Sequence, residues 1–200
     1  DSLGIKQAGA TENDRVAALV IDALNKKQTP LLPVDILPTP SAKTYQLSDL
    51  QLSGQEDKAA VSAYAKKLTE IMSAYHTPAL GGEIKLLLEL VEQGKTENLS
   101  GLVTAAERYQ TTINQLLNLT APPSAGQLQL NLLNTLVRLA ENARLMTQIL
   151  EEPAVALGAA QLQTGNLKPC LSAIGNLNLF FAAQNINFNN GEGVVTVLDL

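Results

Sequence analysis

The chain has 200 residues, a length that suits one domain large enough to bury its own core. Apolar residues make up 46% of it and charged residues 16%, which is the composition of a globular protein and not of a disordered one. The formal net charge is −5 and the lysines and arginines are scattered. This excludes nucleic-acid binding and a polybasic membrane-surface site, because both need clustered positive charge.

The first 27 residues predict a flexible lead and one helix. Residues 1–10 contain two glycines and no hydrophobic pattern, so we expect them to be flexible. Thr11 is a suitable N-cap, acidic residues follow it, and two lysines stand at positions 26 and 27. Acidic residues in the first turn and basic residues in the last turn complement the helix dipole, so we expect a helix over residues 12–27.

Residues 28–44 predict an extended strap. Four prolines forbid a helix and favour extended backbone: Pro30, Pro33, Pro38 and Pro40. The intervening residues are too apolar for a free linker, and we expect them to lie across the helices and form an interaction surface: Leu31, Leu32, Val34, Ile36 and Leu37. The alternative is a proline-rich ligand for another domain.

The next two helices are predicted from residues that cap helices and from the proline and glycine that end them. Residues 45–52 are expected to be extended or turned. Ser53 and Glu56 match a capping box and predict a helix that runs to Ser73 or Ala74 and ends before Pro78. Residues 83–93 predict a short helix that ends at Gly94.

Thr96 is expected to cap a further helix whose buried seam repeats at spacings of three and four: Leu99, Leu102, Ala106, Tyr109, Ile113 and Leu116. The loop at residues 120–126 is short and contains prolines, so it should make this helix and the next one antiparallel neighbours.

Residues 128–152 carry the densest helical periodicity in the chain and predict the central helix of a bundle. Its apolar stripe recurs at spacings of four and three: Leu132, Leu136, Leu139, Ala143, Met146 and Leu150. Asn134 lies between core positions, and we expect a buried amide there to fix the register of the helices more readily than to bind a ligand.

The end of the chain predicts one or two helices and a hairpin. Residues 154–184 are apolar, and Pro169 among them predicts either two helices or one bent helix. Residues 186–188 and 194–198 are β-prone and flank a turn, so we expect a small hairpin over residues 186–200. Such a hairpin should pair with the strap, with residues 45–50 or with another molecule, through Val194, Val195 and Val197.

These elements predict a single domain over residues 1–200 that is mostly α-helical. We expect an antiparallel bundle of five to seven helices, with a proline-rich strap and a small C-terminal β-hairpin.

Several short motifs resemble those of a family of uncharacterised helical envelope proteins from candidate-phylum bacteria of the Patescibacteria type. The motifs extend over nearly the whole chain: Tyr45, Asp49-Leu50, Tyr64, Tyr109, Leu116-Leu117, Leu132-Leu133-Asn134 and Glu152-Pro153. Two positions depart from the pattern, since Gln129 stands where that family often has His and Glu152 where it usually has Asp. The resemblance implies an N-terminal membrane anchor, an extracytoplasmic helical body and genomic proximity to pilus or secretion components. It implies no reaction.

The sequence offers no recognisable catalytic, cofactor or metal site. His76 is the only histidine, and a metal site or catalytic triad needs further partners for it. Cys170 is the only cysteine, so no intramolecular disulfide can form, and we expect a buried, inert thiol. The paired acidic residues lie near predicted helix ends, where dipole compensation explains them.

We therefore expect a non-enzymatic extracytoplasmic structural or interaction protein that serves an envelope, pilus or secretion assembly. It would have protein partners or self-associate, and would meet the membrane only through an anchor upstream of Asp1. One alternative is a sensor or solute-binding bundle that holds a small apolar ligand between the helices 98–119 and 128–152. Another is a filament subunit that pairs through the strand 194–198. A cytoplasmic location is the alternative compartment.

Overall fold

The computed structural model describes residues 42–73 and 80–186, and this part of the chain is mostly helical. It contains five α-helices and no strand: α1 (Lys58–Ser73), α2 (Gly82–Gln93), α3 (Asn98–Asn118), α4 (Pro123–Met146) and α5 (Pro153–Ala183). The predicted helical bundle is confirmed in these ranges. The flexible lead, the helix at residues 12–27, the strap up to residue 41, His76 and the hairpin from residue 187 onward lie outside the described residues.

Helix α4 packs between α3 and α5 and carries the centre of the core. Its fully buried stripe follows the predicted spacing: Leu132, Leu133, Leu136, Leu139, Ala143 and Met146. Full burial of one leucine side chain contributes about 1.5–3 kcal/mol, so this stripe is the main reason that α4 holds its neighbours.

The bounds of α4 differ from the prediction at both ends. The helix begins at Pro123, because proline suits the first turn, where its missing N–H would have no intrahelical partner. It ends at Met146, and Leu150 lies in the following turn with 62% of its surface exposed. The prediction that Leu150 joins the buried stripe is therefore wrong. Pro153 disfavours helical backbone at Glu152, so the chain has to leave α4 before it can begin α5.

Helix α5 is one continuous helix of 31 residues and includes Pro169. One helix is therefore present where the prediction allowed one or two, and the bend expected near Pro169 stays a prediction. Pro169 cannot donate a backbone hydrogen bond to Gly165, but both residues are exposed, so water can satisfy the freed carbonyl.

The predicted capping box at Ser53 is wrong. The Ser53 hydroxyl bonds only within its own turn, to Gln55. The carboxylate of Asp57 accepts the N–H of Ala60 at 2.8 Å and so caps α1. Glu56 instead accepts the N–H of Ser124 at 3.2 and 3.3 Å, and so places a carboxylate at the N-terminus of α4. A local pattern could not show this second contact, because it joins residues 68 positions apart.

The short helix α2 ends at Gly94 as predicted, in left-handed backbone with φ 66° that favours glycine. The predicted cap at Thr96 is wrong, since α3 begins at Asn98 with no side-chain cap. The Asn98 amide donates instead to the carbonyl of Leu86 and to the carboxylate of Glu89 on α2. This bond ties the two helices together across their connection.

Neighbouring helices run antiparallel. Glu83 near the start of α2 bonds to Tyr109 on α3, whereas Glu89 near the end of α2 bonds to Asn98 at the start of α3. Four residues separate α3 from α4, and six separate α4 from α5. Connections this short reverse the chain direction.

The segment before α1 is extended with one 3-10 turn at Leu47–Asp49, as predicted for residues 45–52. Leu52 forms a parallel β-bridge with Ala121 in the α3–α4 connection. The bridge consists of Ser53 N–H to Ala121 O at 2.8 Å and Ala121 N–H to Gln51 O at 2.9 Å. Residues far apart in sequence are thus joined by backbone hydrogen bonds.

The burial pattern predicts that alanine substitutions at two leucines of the predicted stripe lower the free energy of unfolding by different amounts. Leu136→Ala should lower the free energy of unfolding by about 2–5 kcal/mol, because it removes buried surface and leaves a cavity. Leu150→Ala should change it by less than about 0.5 kcal/mol, since that side chain is mostly in water. Urea denaturation of both variants checks this, and equal costs would contradict the position of Leu150.

Candidate functional site

The residues predicted to form interaction surfaces lie outside the described residues: Leu31, Leu32, Val34, Ile36, Leu37, Val194, Val195 and Val197. Their role stays a prediction. The described residues contain two other features that could carry function. One is a surface cleft between α3 and α4, and the other is a buried group of polar side chains at the start of α2.

Asn134 holds extended backbone against α4. Its Oδ1 accepts the N–H of Tyr45 at 2.8 Å, and its Nδ2 donates to the carbonyl of Tyr45 at 3.1 Å. The amide therefore pairs with both polar groups of one residue, as a neighbouring strand would. Asn134 is half-buried and does not set register between helices, so the expectation for its role is corrected.

The cleft begins at this extended segment and has a volume of about 490 Å³. Its lining is contributed by residues 42–45, α3 and α4: Ala42, Lys43, Tyr45, Ala106, Glu107, Gln110, Ile113, Val137, Ala140, Glu141 and Arg144. The apolar side chains on the two helices are small or branched, whereas the polar lining residues include charges of both signs. A cleft of this kind suits a ligand with an apolar body and hydrogen-bonding groups at its edge.

Two of the charges in the cleft pair with each other. Arg144 donates to both oxygens of Glu141, at 3.0 and 2.8 Å. These hydrogen bonds hold the pKa of the Glu141 carboxyl below its usual range and raise that of Arg144. The ammonium of Lys43 lies 4.3 Å from the centre of the Tyr45 ring, within cation–π range. The wall of the cleft is thus partly ordered before any ligand binds.

The buried polar group consists of Glu83 on α2, Tyr109 on α3 and Gln163 on α5. Only 1% of Glu83 is exposed. Its Oε1 accepts the Tyr109 hydroxyl at 2.9 Å and also the Gln163 amide. Burial raises the pKa of Glu83 above its ordinary value, although hydrogen bonds from side chains and backbone oppose that shift. The carboxyl therefore holds its proton to higher pH than an exposed glutamate does.

Gln129 is buried too, and its contacts are structural. Its Nε2 donates to the carbonyls of Leu116 and Leu119 at 2.8 and 3.2 Å. These carbonyls lie at the C-terminal end of α3, where the backbone has no further helical partner. Gln129 thus fastens the end of α3 onto α4.

Cys170 is fully buried on α5, as expected for an inert thiol. Burial raises its pKa to about 11, and the neighbouring Thr135 on α4 opposes the shift only in part. A nucleophilic cysteine needs the opposite, a lowered pKa and access to solvent.

The sequence did not predict the Glu83–Tyr109–Gln163 group. Tyr109 was expected on the buried seam of α3, but its partners lie 26 and 54 residues away. The one available signal was an acidic residue at the start of a strongly apolar helix, which dipole compensation also explains. Among the described residues, no three His, Cys, Asp or Glu side chains are grouped so that they could hold a metal ion.

No helix within residues 42–73 and 80–186 combines the length and apolarity needed to cross a membrane. No protein-family model, curated protein or solved structure matches the chain.

The two bonds of Asn134 predict a measurable cost. Asn134→Ala should lower the free energy of unfolding by about 1–2 kcal/mol, because two neutral hydrogen bonds to buried or half-buried backbone are lost. Amide exchange at Tyr45 should also become faster. Asn131→Ala is the control on the same helix, since Asn131 is exposed and bonds only to the Gln127 side chain. An equal loss in both variants would argue against the Tyr45 contact.

The environment of Cys170 predicts low reactivity. At pH 8 the thiol of the folded protein should react with a disulfide reagent at least about a hundredfold more slowly than in the unfolded chain, because burial limits access and the raised pKa leaves little thiolate. The measurement is the labelling rate with and without denaturant. Similar rates in both states would place Cys170 at the surface.

Proposed function

We propose that this protein is a non-enzymatic structural and interaction protein of the cell envelope, acting outside the cytoplasm in a surface-appendage or secretion assembly. We propose further that its working surface is the α3–α4 cleft, which accepts an extended apolar segment of a partner protein. The observation that carries the proposal is the pairing of Asn134 with the backbone of Tyr45 at one end of the cleft. The envelope setting rests on the sequence resemblance.

The extended segment at residues 42–45 supports this kind of partner. The bundle already holds one extended stretch there through the side-chain amide of Asn134, and the Tyr45 ring of that stretch lines the cleft. Ala106 and Ala140 contribute small side chains to the cleft, so the backbone of a peptide could approach both helices closely. Recognition of an extended segment combines backbone hydrogen bonds with pockets for alternate side chains, and the cleft offers polar and apolar groups side by side.

The contacts of the buried polar side chains support a non-enzymatic role. Glu83 and Gln129 both bind neighbouring helices, and neither lines the cleft. Within the cleft, Glu141 is paired with Arg144. The lowered pKa of Glu141 makes it a poor general base at neutral pH, because such a base works best with a pKa near the operating pH.

A second candidate is a solute-binding bundle that holds a small apolar ligand. The cleft lies between the two helices for which this was expected, which favours it. The interior between these helices is filled, however, by Leu102 and Leu116 from α3 and Leu132 from α4. A small ligand would therefore bind in the open cleft and not inside the bundle. The proline-rich strap and the terminal hairpin stay predicted elements of the interaction protein.

A photo-crosslinking experiment in intact cells tests the proposal. A crosslinking residue at Gln110, an exposed position that lines the cleft, should capture one protein partner in the envelope fraction. Ala140→Trp fills the cleft and should reduce that product about tenfold, which corresponds to a loss of about 1.4 kcal/mol in binding. Arg138→Trp is the control, because it adds the same ring at an exposed position on α4 outside the cleft.

Three outcomes would contradict the proposal. If this protein is found in the cytoplasm and has no crosslinked partner, both the proposed envelope location and the proposed interaction role are wrong. If Arg138→Trp reduces the crosslinked product as much as Ala140→Trp does, the cleft is not the binding surface. A small molecule that copurifies with the wild type and is lost in Ala140→Trp would favour the solute-binding alternative.

A further inference from the structure

Several buried side-chain polar atoms of the described residues have no hydrogen-bond partner, and two of them, on neighbouring helices, are chemically complementary. One is Nδ2 of Asn142 on α4, a donor, and the other is Oε1 of Gln163 on α5, an acceptor. The two residues are 1% and 0% exposed. A buried polar group without a partner costs about 1–3 kcal/mol, so a donor and an acceptor left over in the same core should pair if they lie at the same level.

The helical register places them at the same level. Thr135 on α4 is a hydrogen-bond partner of Cys170 on α5, which fixes one point of contact between these antiparallel helices. Asn142 follows Thr135 by seven residues, and Gln163 precedes Cys170 by seven. Seven residues are close to two helical turns, so both side chains return to the same faces one layer further along.

Gln163 also donates through its Nε2 to Glu83 and lies 3.4 Å from the Tyr109 hydroxyl. Hydrogen bonds join Gln163 on α5 to Glu83 on α2 and Tyr109 on α3, and the helical register places Asn142 of α4 at the level of Gln163. These four side chains therefore form one polar layer across four helices. We propose that this layer is a proton-controlled lock, which holds the start of α2 while the Glu83 carboxyl is protonated and releases it when that carboxyl ionises. Asn142 is its positioning residue: its Nδ2 is linked to Gln163 Oε1 through one buried water, which keeps Nε2 of Gln163 turned toward Glu83.

The geometry at Glu83 suits a neutral carboxyl. The two side-chain donors converge on one oxygen, Oε1, so the other oxygen can carry a proton without loss of either bond. Hydrogen bonds from the backbone of Gly81 and of Glu83 itself favour the ionised form, but the burial of the carboxyl outweighs them. No basic group among the described residues forms an ion pair with Glu83. Ionisation would therefore leave a charge in the core with only neutral hydrogen-bond donors, which is unfavourable.

The groups around Glu83 add no compensating charge. On α3, Tyr109 is the titratable residue in contact with it, and Arg108 is adjacent in sequence but does not pair with it. On α2, Lys85 pairs with Glu89. On α5 the contacting residue is the neutral Gln163, and Lys168 on that helix is exposed.

The same layer on α4 is also uncharged at the position that faces α5. Asn142 stands between the oppositely charged residues Glu141 and Arg144, which bind each other on the cleft side of the helix. Arg138 on the same helix is exposed. The charge state of the layer therefore depends on Glu83 itself.

The start of α2 lies close to α5. Gly81 precedes the helix in left-handed backbone, with φ 85°. This positive φ favours glycine, and a Cβ added there would lie 2.9 Å from Leu167 Cδ1 on α5, so the Leu167 side chain would have to shift. The first turn of α2 thus touches α5 through Gly81 and through Glu83. Loss of the second contact leaves this turn with the Gly81 contact to α5 and weakens its attachment.

The direction of the pH effect follows from the raised pKa. Below the ordinary glutamate value of 4.5 the carboxyl is protonated whether α2 is docked or released, and the lock contributes its full stability. As the pH rises from there to the raised pKa of the docked state, the released state loses its proton first. The equilibrium for opening then increases about tenfold per pH unit, and it levels off above the raised pKa.

Hydrogen exchange of the α2 amides, measured on the full chain from pH 4.5 to 8.5, tests the lock. The informative quantity is the exchange rate of the wild type divided by that of Glu83→Gln, since the intrinsic pH dependence of exchange cancels in this ratio. Glutamine keeps the size of the neutral carboxyl and cannot ionise, so the ratio should rise about tenfold per pH unit within the window. A ratio independent of pH would overturn the proposal.

Control variants separate the lock from general effects of charge. Glu89→Gln removes a partly exposed carboxylate from the same helix, and the corresponding ratio should not rise with pH, because hydrogen bonds lower the pKa of Glu89. Should Glu83→Gln fail to fold, Tyr109→Phe serves instead. It removes a donor to the ionised carboxyl and so raises the pKa of the docked state further, while the released state is unchanged. The rise in α2 exchange should therefore begin at the same pH and continue to higher pH.

Asn142→Leu tests the positioning role. Without Asn142 the Gln163 amide donates less well to the ionised carboxyl, so the rise should again continue to higher pH. A purely structural role for Asn142 would speed α2 exchange equally at every pH and leave unchanged the pH at which the rise ends. If that pH is unchanged in both Tyr109→Phe and Asn142→Leu, the four side chains do not act as one layer.

Discussion

Burial of the apolar stripe of α4 is the interaction on which the rest of the described structure depends. Helices α3 and α5 both pack against α4, and the leucines of α4 at 132, 133, 136 and 139 are fully buried. Isolated helices of this length are marginal in water, so their stability comes from such packing. Once α4 is enclosed, α2 can dock against α3, and the connecting segments acquire a surface to lie on.

Side-chain contacts with backbone then position the irregular segments. Asn134 binds Tyr45, Gln129 binds the last carbonyls of α3, and Glu56, which lies just before α1, binds the first turn of α4. In each case a polar side chain satisfies backbone groups that have no partner within a helix. The chain has few charged residues, and hydrogen bonds from neutral side-chain amides join many of the segments that ion pairs join in other proteins. Such contacts are short-ranged and little affected by salt.

The cleft and the buried polar layer lie on opposite sides of the same helix pair. Ala106, Gln110 and Ile113 of α3 line the cleft, whereas Tyr109 points from the same helix to Glu83. Successive residues of a helix face different directions, so one helix can present a recognition surface outward and a titratable network inward. In the proposed interaction protein, the position of α2 would respond to pH while the cleft kept its lining, because α2 contributes no residue to the cleft.

The hydrophobic periodicity of the sequence, together with the glycines and prolines that end helices, by itself determined the helices and most of the core. The three-four spacing from Leu132 to Met146 and the glycine at 94 are local signals, and local sterics and burial enforce them. Only the tertiary structure decided the end of α4 before Leu150, the cap supplied by Glu56, the Tyr45 contact of Asn134 and the grouping of Glu83 with Tyr109 and Gln163. Each joins residues distant in sequence or depends on where the chain must turn, and a spacing rule within one segment carries no information about a partner 68, 80 or 89 residues away.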